Sequence, residues 1–173
     1  MELKKQPLLT AGQIQKKVEE LARQISADYA DKDILLIAVL KGSLIFTSDL
    51  MRLLTIPSTV DFVRARSYCE TRSRGSCEFL LLPDQPLTGR HVLVVEDIID
   101  TGLTVRCVLD RLAAQKPASV EVCTLLDKPA RRKVQISPRY VGFIIDDEFV
   151  VGYGMDYEEQ GRNWPDIHVL VED

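Results

Sequence analysis

The chain has 173 residues, 46% apolar and 28% charged, which suits one folded domain over 1–173 and excludes both a multidomain assembly and a disordered chain. Twenty-two Lys and Arg against 26 Asp and Glu leave a net charge of -4. No general attraction to nucleic acid or an anionic membrane follows, so an anionic ligand must be gripped locally.

Thr10 with Gln13 three positions on is a capping-box pattern, and Ile14, Val18, Leu21 and Ile25 recur behind it at helical spacing. Residues 34–40 form a short, nearly continuous apolar run, the pattern of a strand buried on both faces. Lys41-Gly42-Ser43 leads from it into a helical stretch through Leu54. Residues 59–67 have strand composition, and 79–82 can pair with them or with a neighbour. The connection between, 68–76, is polar, carries Arg72, Arg74 and Gly75, and is expected to be mobile. A second buried strand follows at 91–95, then a helix at 103–115 with Val105, Val108, Leu109 and Leu112 inward, and a third strand at 119–126. Residues 140–145 add another strand, with shorter candidates at 149–151 and 167–171. Strands alternating with helices predict an α/β fold with a central, mainly parallel sheet flanked by helices.

The longest apolar runs are far short of the ~20 residues a bilayer crossing needs, and no signal-peptide core follows Lys4-Lys5, so a cytoplasmic protein is expected. Cys69, Cys77, Cys107 and Cys123 fit neither a paired zinc motif nor a dense disulfide framework. Four reduced thiols are expected, Cys107 and Cys123 in the core, Cys69 and Cys77 in a polar stretch. His91 and His168 have no Cys, Asp or His grouping around them at catalytic or metal spacing and are assigned to structure.

The most informative stretch is 94–104, which sets Glu96, Asp97, Asp100, Thr101 and Thr104 where a buried strand gives way to a helix. In open α/β sheets ligands bind at this carboxyl edge. The turn Thr101-Gly102-Leu103-Thr104 can aim backbone N–H groups and two hydroxyls at a phosphate, and the helix N-terminus adds partial positive charge. Adjacent carboxylates facing a phosphorylated ligand suit ribose hydroxyls and magnesium, a hard cation that bridges oxygen ligands. Helix capping alone would account for one of the three acids.

The run ending in Asp100-Thr101-Gly102-Leu103-Thr104 resembles the phosphoribosyl pyrophosphate motif of type I phosphoribosyltransferases. Leu40-Lys41-Gly42-Ser43, Lys128 after a strand, Phe149-Val150-Val151-Gly152-Tyr153-Gly154, Asp156-Tyr157 and Arg162-Asn163 resemble the hypoxanthine-guanine branch of that family in order and spacing. The resemblance covers nearly the whole chain. It implies the type I fold with a small hood built from terminal segments, and transfer of ribose phosphate from phosphoribosyl pyrophosphate to a 6-oxopurine with loss of pyrophosphate. Homodimers or homotetramers are usual in the family.

Residue by residue, the resemblance implies that Thr101, Gly102, Leu103 and Thr104 cradle the ribose phosphate. Glu96 and Asp97 would hold the ribose hydroxyls and associated magnesium, and Asp100 would act as general base toward the purine's imidazole ring. Lys41, Gly42 and Arg162 would bind pyrophosphate, with the peptide bond before the lysine cis. Lys128 would donate to the purine's exocyclic oxygen, Phe149 would stack on the ring, and the Val150 backbone would read its edge. Asp156 would carry a second magnesium and also belong to the purine-binding set. Ser67 and Tyr68 match the serine-tyrosine pair of a loop that closes over the centre.

Three departures from the family pattern stand out. The connection after Tyr68 is bulkier and more charged than usual, Leu103 stands where some members have a basic residue, and Gln160-Gly161 before Arg162 is atypical. A receiver domain would place its acidic strand near the N-terminus. A nucleotide-sensing regulator would not need Asp100, Lys41 and Arg162 together. An enzyme acting on adenine or a pyrimidine fits poorly with Lys128 and Phe149-Val150.

Overall fold

The computed structural model describes residues 3–68 and 76–171, with backbone alone at Ser67, Tyr68 and Ser76. The expected mobile connection, with Cys69, Arg72, Arg74 and Gly75, lies outside the described residues, as do the side chains of Ser67 and Tyr68.

Helix α1, Ala11–Asp28, begins at the expected capping box: the Thr10 hydroxyl accepts from the Gln13 N–H, and the Gln13 side chain accepts from Thr10 N–H. Ile14, Val18, Leu21 and Ile25 are all buried. Strand β1, Ile34–Val39, is buried at every position and leads through Lys41–Ser43 into α2, Leu44–Leu53. Strands β2, Ser58–Tyr68, and β3, Ser76–Leu81, pair antiparallel. Then come β4, His91–Ile99; α3, Leu103–Ala113; β5, Ser119–Asp127; a 3-10 turn, Pro129–Arg131; and β6, Tyr140–Ile144.

The six strands form one sheet in the order β3-β2-β1-β4-β5-β6, parallel except for β2 with β3. Side chains alternate faces along a strand, and the core divides accordingly. Ile34 and Leu36 of β1 and Leu93 and Val95 of β4 join α1 and α2 on one side. Leu35, Ile37 and Val39 with Val92 and Val94 join Val105, Val108 and Leu112 of α3 on the other. This two-faced burial explains why β1 and β4 read as apolar runs rather than as alternating patterns.

Beyond the sheet, β7, Val150–Val151, and β8, His168–Val169, form a two-stranded antiparallel hood. Residues from the other end of the chain tie into it: Leu3 bridges Leu170 and Leu9 bridges Ile167. Among the described residues no helix is long and apolar enough to cross a membrane.

Two expectations are corrected. Strand β4 does not stop at Val95 but runs to Ile99, because Glu96, Ile98 and Ile99 continue the ladder with Thr124, Leu126 and Asp127 of β5. Nor are the described thiols all reduced: Cys77 and Cys107 form a disulfide. They stand 30 positions apart, but α3 packs over the β2–β3 edge and brings their Cα atoms to 6.2 Å, within disulfide reach. Cys107 is therefore half-buried rather than core, whereas Cys123 is free and buried as expected.

Candidate active site

The carboxyl ends of β4 and β5 and the hood surround the residues singled out above. After Ile99 the chain turns at Asp100-Thr101-Gly102 into α3. Gly102 has φ of +80°, a left-handed conformation in which a side chain is strained, and caps the helix. Its absent Cβ matters too, since that atom would sit 3.0 Å from Arg132 Cδ and 3.2 Å from the Ile136 and Val134 side chains. The Leu103 N–H donates to the Thr101 hydroxyl at 3.4 Å. Glu96, Asp100, Thr101, Gly102 and Thr104 line a cavity of about 110 Å³ at this helix N-terminus. Its size and donors suit a phosphate group.

Glu96 and Asp97 are both 8% exposed. Burial, then the neighbouring Asp97 charge, pushes the Glu96 carboxyl well above its ordinary range. Burial also raises Asp97, opposed by its hydrogen bond with Glu96 and by the Arg162 charge. The pair thus favours one shared proton, and Glu96 Oε2 is left buried with no hydrogen-bond partner. A buried orphan oxygen beside a second carboxyl is a donor set that a hard cation would complete, with substrate oxygens supplying the rest.

Asp97 also abuts the turn after β1. The Leu40–Lys41 peptide bond is cis, and a Cβ built on Gly42 would lie 1.7 Å from Asp97 Oδ2. On the far side a Cβ on Gly154, in the hood, would meet the Gly42 carbonyl oxygen at 2.1 Å. The Lys41-Gly42 turn is therefore wedged between the Asp97 carboxylate of β4 and the backbone of the hood. Lys41 Nζ donates to both oxygens of Glu159 at 2.9 and 2.8 Å. Arg162 approaches Glu159 at 3.3 Å and Asp156 at 2.6 Å, and it donates to the Gly154 carbonyl at 2.8 Å. The lysine and arginine expected to grip an anion are thus brought together, with a carboxylate between them.

On the purine side of the expected site, Lys128 is 5% exposed and its N–H is held by the Ile99 carbonyl at 2.9 Å. Phe149 is 44% exposed and meets Tyr157 edge to face at 5.8 Å, while Val150 is buried in β7. An exposed ring next to a paired backbone edge can stack on a flat heterocycle. Asp156 does not join Glu96 and Asp97: its Oδ1 pairs with Arg162 and its Oδ2 accepts from the Glu159 N–H at 2.8 Å. Among the described residues no group of three or more His, Cys, Asp or Glu could hold a metal ion.

Sequence reasoning missed Arg131, Arg132 and Glu159. Arg132 donates to the Asp100 carbonyl at 2.7 Å and pairs with Asp127. Arg131 Nε lies 3.0 Å from Asp100 Oδ1, and its Nη1 lies 3.0 Å from Asp147 Oδ1. Lys128-Pro129 starting a turn was the signal available, but nothing in the spacing says that the turn points back at Asp100. A larger cavity, about 640 Å³, opens between α1, α2 and the hood and shares only Arg162 with this site.

A family model for the phosphoribosyl transferase domain matches residues 7–158. The hypoxanthine-guanine phosphoribosyltransferase of Mycobacterium avium is 45% identical over 173 residues, which cover 96% of this chain and 85% of that protein. The hypoxanthine phosphoribosyltransferase of Salmonella typhimurium is 41% identical over 167 residues, covering 95% and 94%. Among solved structures, a hypoxanthine-guanine phosphoribosyltransferase from Bacillus anthracis superposes with a TM-score of 0.92 at 46% identity, over 99% of each chain.

Proposed function

The chain belongs to the phosphoribosyl transferase family, and on that footing we propose how its own residues divide the reaction. It is a purine-salvage enzyme that moves ribose 5-phosphate from phosphoribosyl pyrophosphate to hypoxanthine, guanine or both, giving IMP or GMP and pyrophosphate. The domain that does so spans 1–173.

In this reading the backbone N–H groups of Thr101, Gly102, Leu103 and Thr104 and the two threonine hydroxyls bind the 5-phosphate at the start of α3, where the helix dipole favours an anion. Leu103 contributes no charge, so the N–H groups and hydroxyls carry this binding. Glu96 and Asp97 take the ribose hydroxyls and magnesium, the orphan Glu96 Oε2 being the oxygen a cation satisfies. Magnesium, when bound, neutralises the pyrophosphate oxygens. Asp156 would hold a second ion after release from Arg162. Lys41, Gly42 and Arg162 grip the pyrophosphate, whose charge replaces that of Glu159.

Lys128 donates to the 6-oxo group, and a 6-amino base would leave the lysine facing another donor. Phe149 stacks on the purine, Val150 reads its edge through the backbone, and Ser67 and Tyr68 shield the centre from water. The purine nitrogen attacks the anomeric carbon as the bond to pyrophosphate breaks, and the imidazole proton passes to Asp100, whose carboxylate also stabilises cationic character at the sugar. A homodimer or homotetramer in the cytoplasm completes the proposal; Leu44, Ile45 and Leu53, exposed on α2, offer apolar area for self-association.

The carrying observation is the placing of Asp100, which lines the cavity with Thr101, Gly102 and Thr104 while its buried Oδ1 is held by the Arg131 charge at 3.0 Å. The test is pyrophosphate-coupled nucleotide formation with hypoxanthine, guanine, xanthine, adenine and uracil supplied separately, for wild type and Asp100→Asn. Turnover with 6-oxopurines that the substitution strongly reduces is expected; equal turnover by the variant would remove Asp100 from its role.

A further inference from the structure

Asp100 is tied to the molecule at two levels. Arg132 holds its backbone carbonyl, and Arg131 reaches its side chain. The second contact has an unusual character. The guanidinium Nε stands 3.0 Å from Oδ1, yet that oxygen has no aligned hydrogen-bond donor. Arg131 therefore anchors this buried oxygen by charge rather than by an aligned hydrogen bond, and the other carboxylate oxygen is the one left to act as base. The same guanidinium reaches Asp147, which lies two residues before Phe149, so it spans the gap between the turn after β4 and the segment that presents the aromatic ring. Its own root is fixed: Lys128 N–H is bound to Ile99, Arg131 N–H closes the 3-10 turn on the Lys128 carbonyl at 3.2 Å, and Lys133 N–H is bound to the Thr101 carbonyl at 2.9 Å.

We propose that Arg131 is a positioning residue for the transfer, setting the Asp100 carboxylate for proton acceptance and fixing its separation from the Phe149 segment through Asp147. The inference rests on the reading of Asp100 as general base. A freely rotating aspartate would spend much of its time out of line with the purine proton, and rate depends steeply on that alignment. Arg131 restricts the rotation by ionic attraction at the buried Oδ1 and leaves the other carboxylate oxygen of the half-exposed side chain to the incoming N–H. Because the pair is half-exposed, it adds little to global stability, which separates a positioning role from a structural one.

The test compares Arg131→Met, Arg131→Lys, Asp100→Asn and the Asp100→Asn, Arg131→Met double variant, with saturating magnesium and hypoxanthine or phosphoribosyl pyrophosphate varied in turn. Arg131→Met should lower kcat roughly tenfold, part of the ~hundredfold that a misplacement near 1 Å costs. Its KM for phosphoribosyl pyrophosphate and its melting temperature should stay close to wild type, and Arg131→Lys should recover part of the rate. In the Asp100→Asn background the same substitution should add almost nothing, since a residue that acts through Asp100 has nothing left to act on. Full activity of Arg131→Met alongside a crippled Asp100→Asn overturns this inference alone, as does an equal loss in both backgrounds. Full activity of Asp100→Asn overturns both this inference and the assignment of Asp100.

Discussion

Replacing Gly42 by alanine inserts a methyl carbon 1.7 Å from Asp97 Oδ2 and 2.6 Å from its Cγ. Ordinary contact requires about 3.4 Å or more, so carboxylate and turn must separate by roughly 1.5–2 Å. The turn has nowhere to retreat, because Gly154 of the hood already packs against the Gly42 carbonyl. The displacement therefore falls on Asp97, in the pair proposed for the ribose hydroxyls and magnesium. A misplacement of ~1 Å at such a centre costs about 100-fold, so kcat/KM for phosphoribosyl pyrophosphate should drop about two orders of magnitude, or roughly 2.7 kcal/mol of transition-state binding. Stability should fall by about 1–3 kcal/mol, the usual cost of overpacking. Steady-state kinetics with the pyrophosphate donor varied and a thermal melt measure the two effects. Gly12→Ala is the matched control, because nothing lies within 4 Å of a Cβ there. A Gly42→Ala enzyme within threefold of wild type at an unchanged melting temperature would refute the packing argument.

Three further outcomes are expected. With divalent metal chelated, the raised Glu96 binds more protons folded than unfolded, so its contribution to stability declines as pH rises above the ordinary value of 4.5. Glu96→Gln should then melt above wild type near neutral pH, with the gap closing toward acid; a variant less stable at every pH would count against it. Glu159→Gln should lower KM for phosphoribosyl pyrophosphate severalfold, because the Glu159 carboxylate pairs with Lys41 and Arg162, the cations assigned to pyrophosphate; an unchanged or raised KM would show that Glu159 does not compete. Reducing Cys77–Cys107, which are 30 positions apart, restores chain entropy to the unfolded state and should cost about 3–4 kcal/mol. A melt insensitive to reductant in wild type, or as sensitive in Cys77→Ser, would contradict that.

How far the sequence discloses this molecule depends on the distance over which each feature is encoded. The turn at 100–104 and the cap at Thr10 are local, set by residues within a few positions, and both are legible. Buried strands β1 and β4 are legible because double-sided burial writes a continuous apolar run. The end of β4 is not, since Glu96 and Asp97 look like loop residues until the β5 ladder is seen to carry on past them. Arg131, Glu159 and the Cys77–Cys107 bridge were hidden for one shared reason. Each depends on segments that only the folded sheet brings together, Arg131 with Asp100, Glu159 with Lys41, and α3 with the β2–β3 edge.

The hood closes the molecule in an order that synthesis imposes. Residues 3–9 are made before every strand of the sheet, yet their bridges are to Ile167 and Leu170, and Lys4 also pairs with Glu148 beside Phe149. Contacts between segments so far apart along the chain are slow to form and come late. During translation the nascent chain can complete the sheet and its phosphate turn while the early segment still waits for its partner. The Phe149 carbonyl itself is tied to Leu170 N–H at 2.8 Å. The surface assigned to the purine thus assembles only after residue 170 has left the ribosome, and a chain arrested shortly before that point would carry a phosphate cradle without the strand that sets its base-binding side.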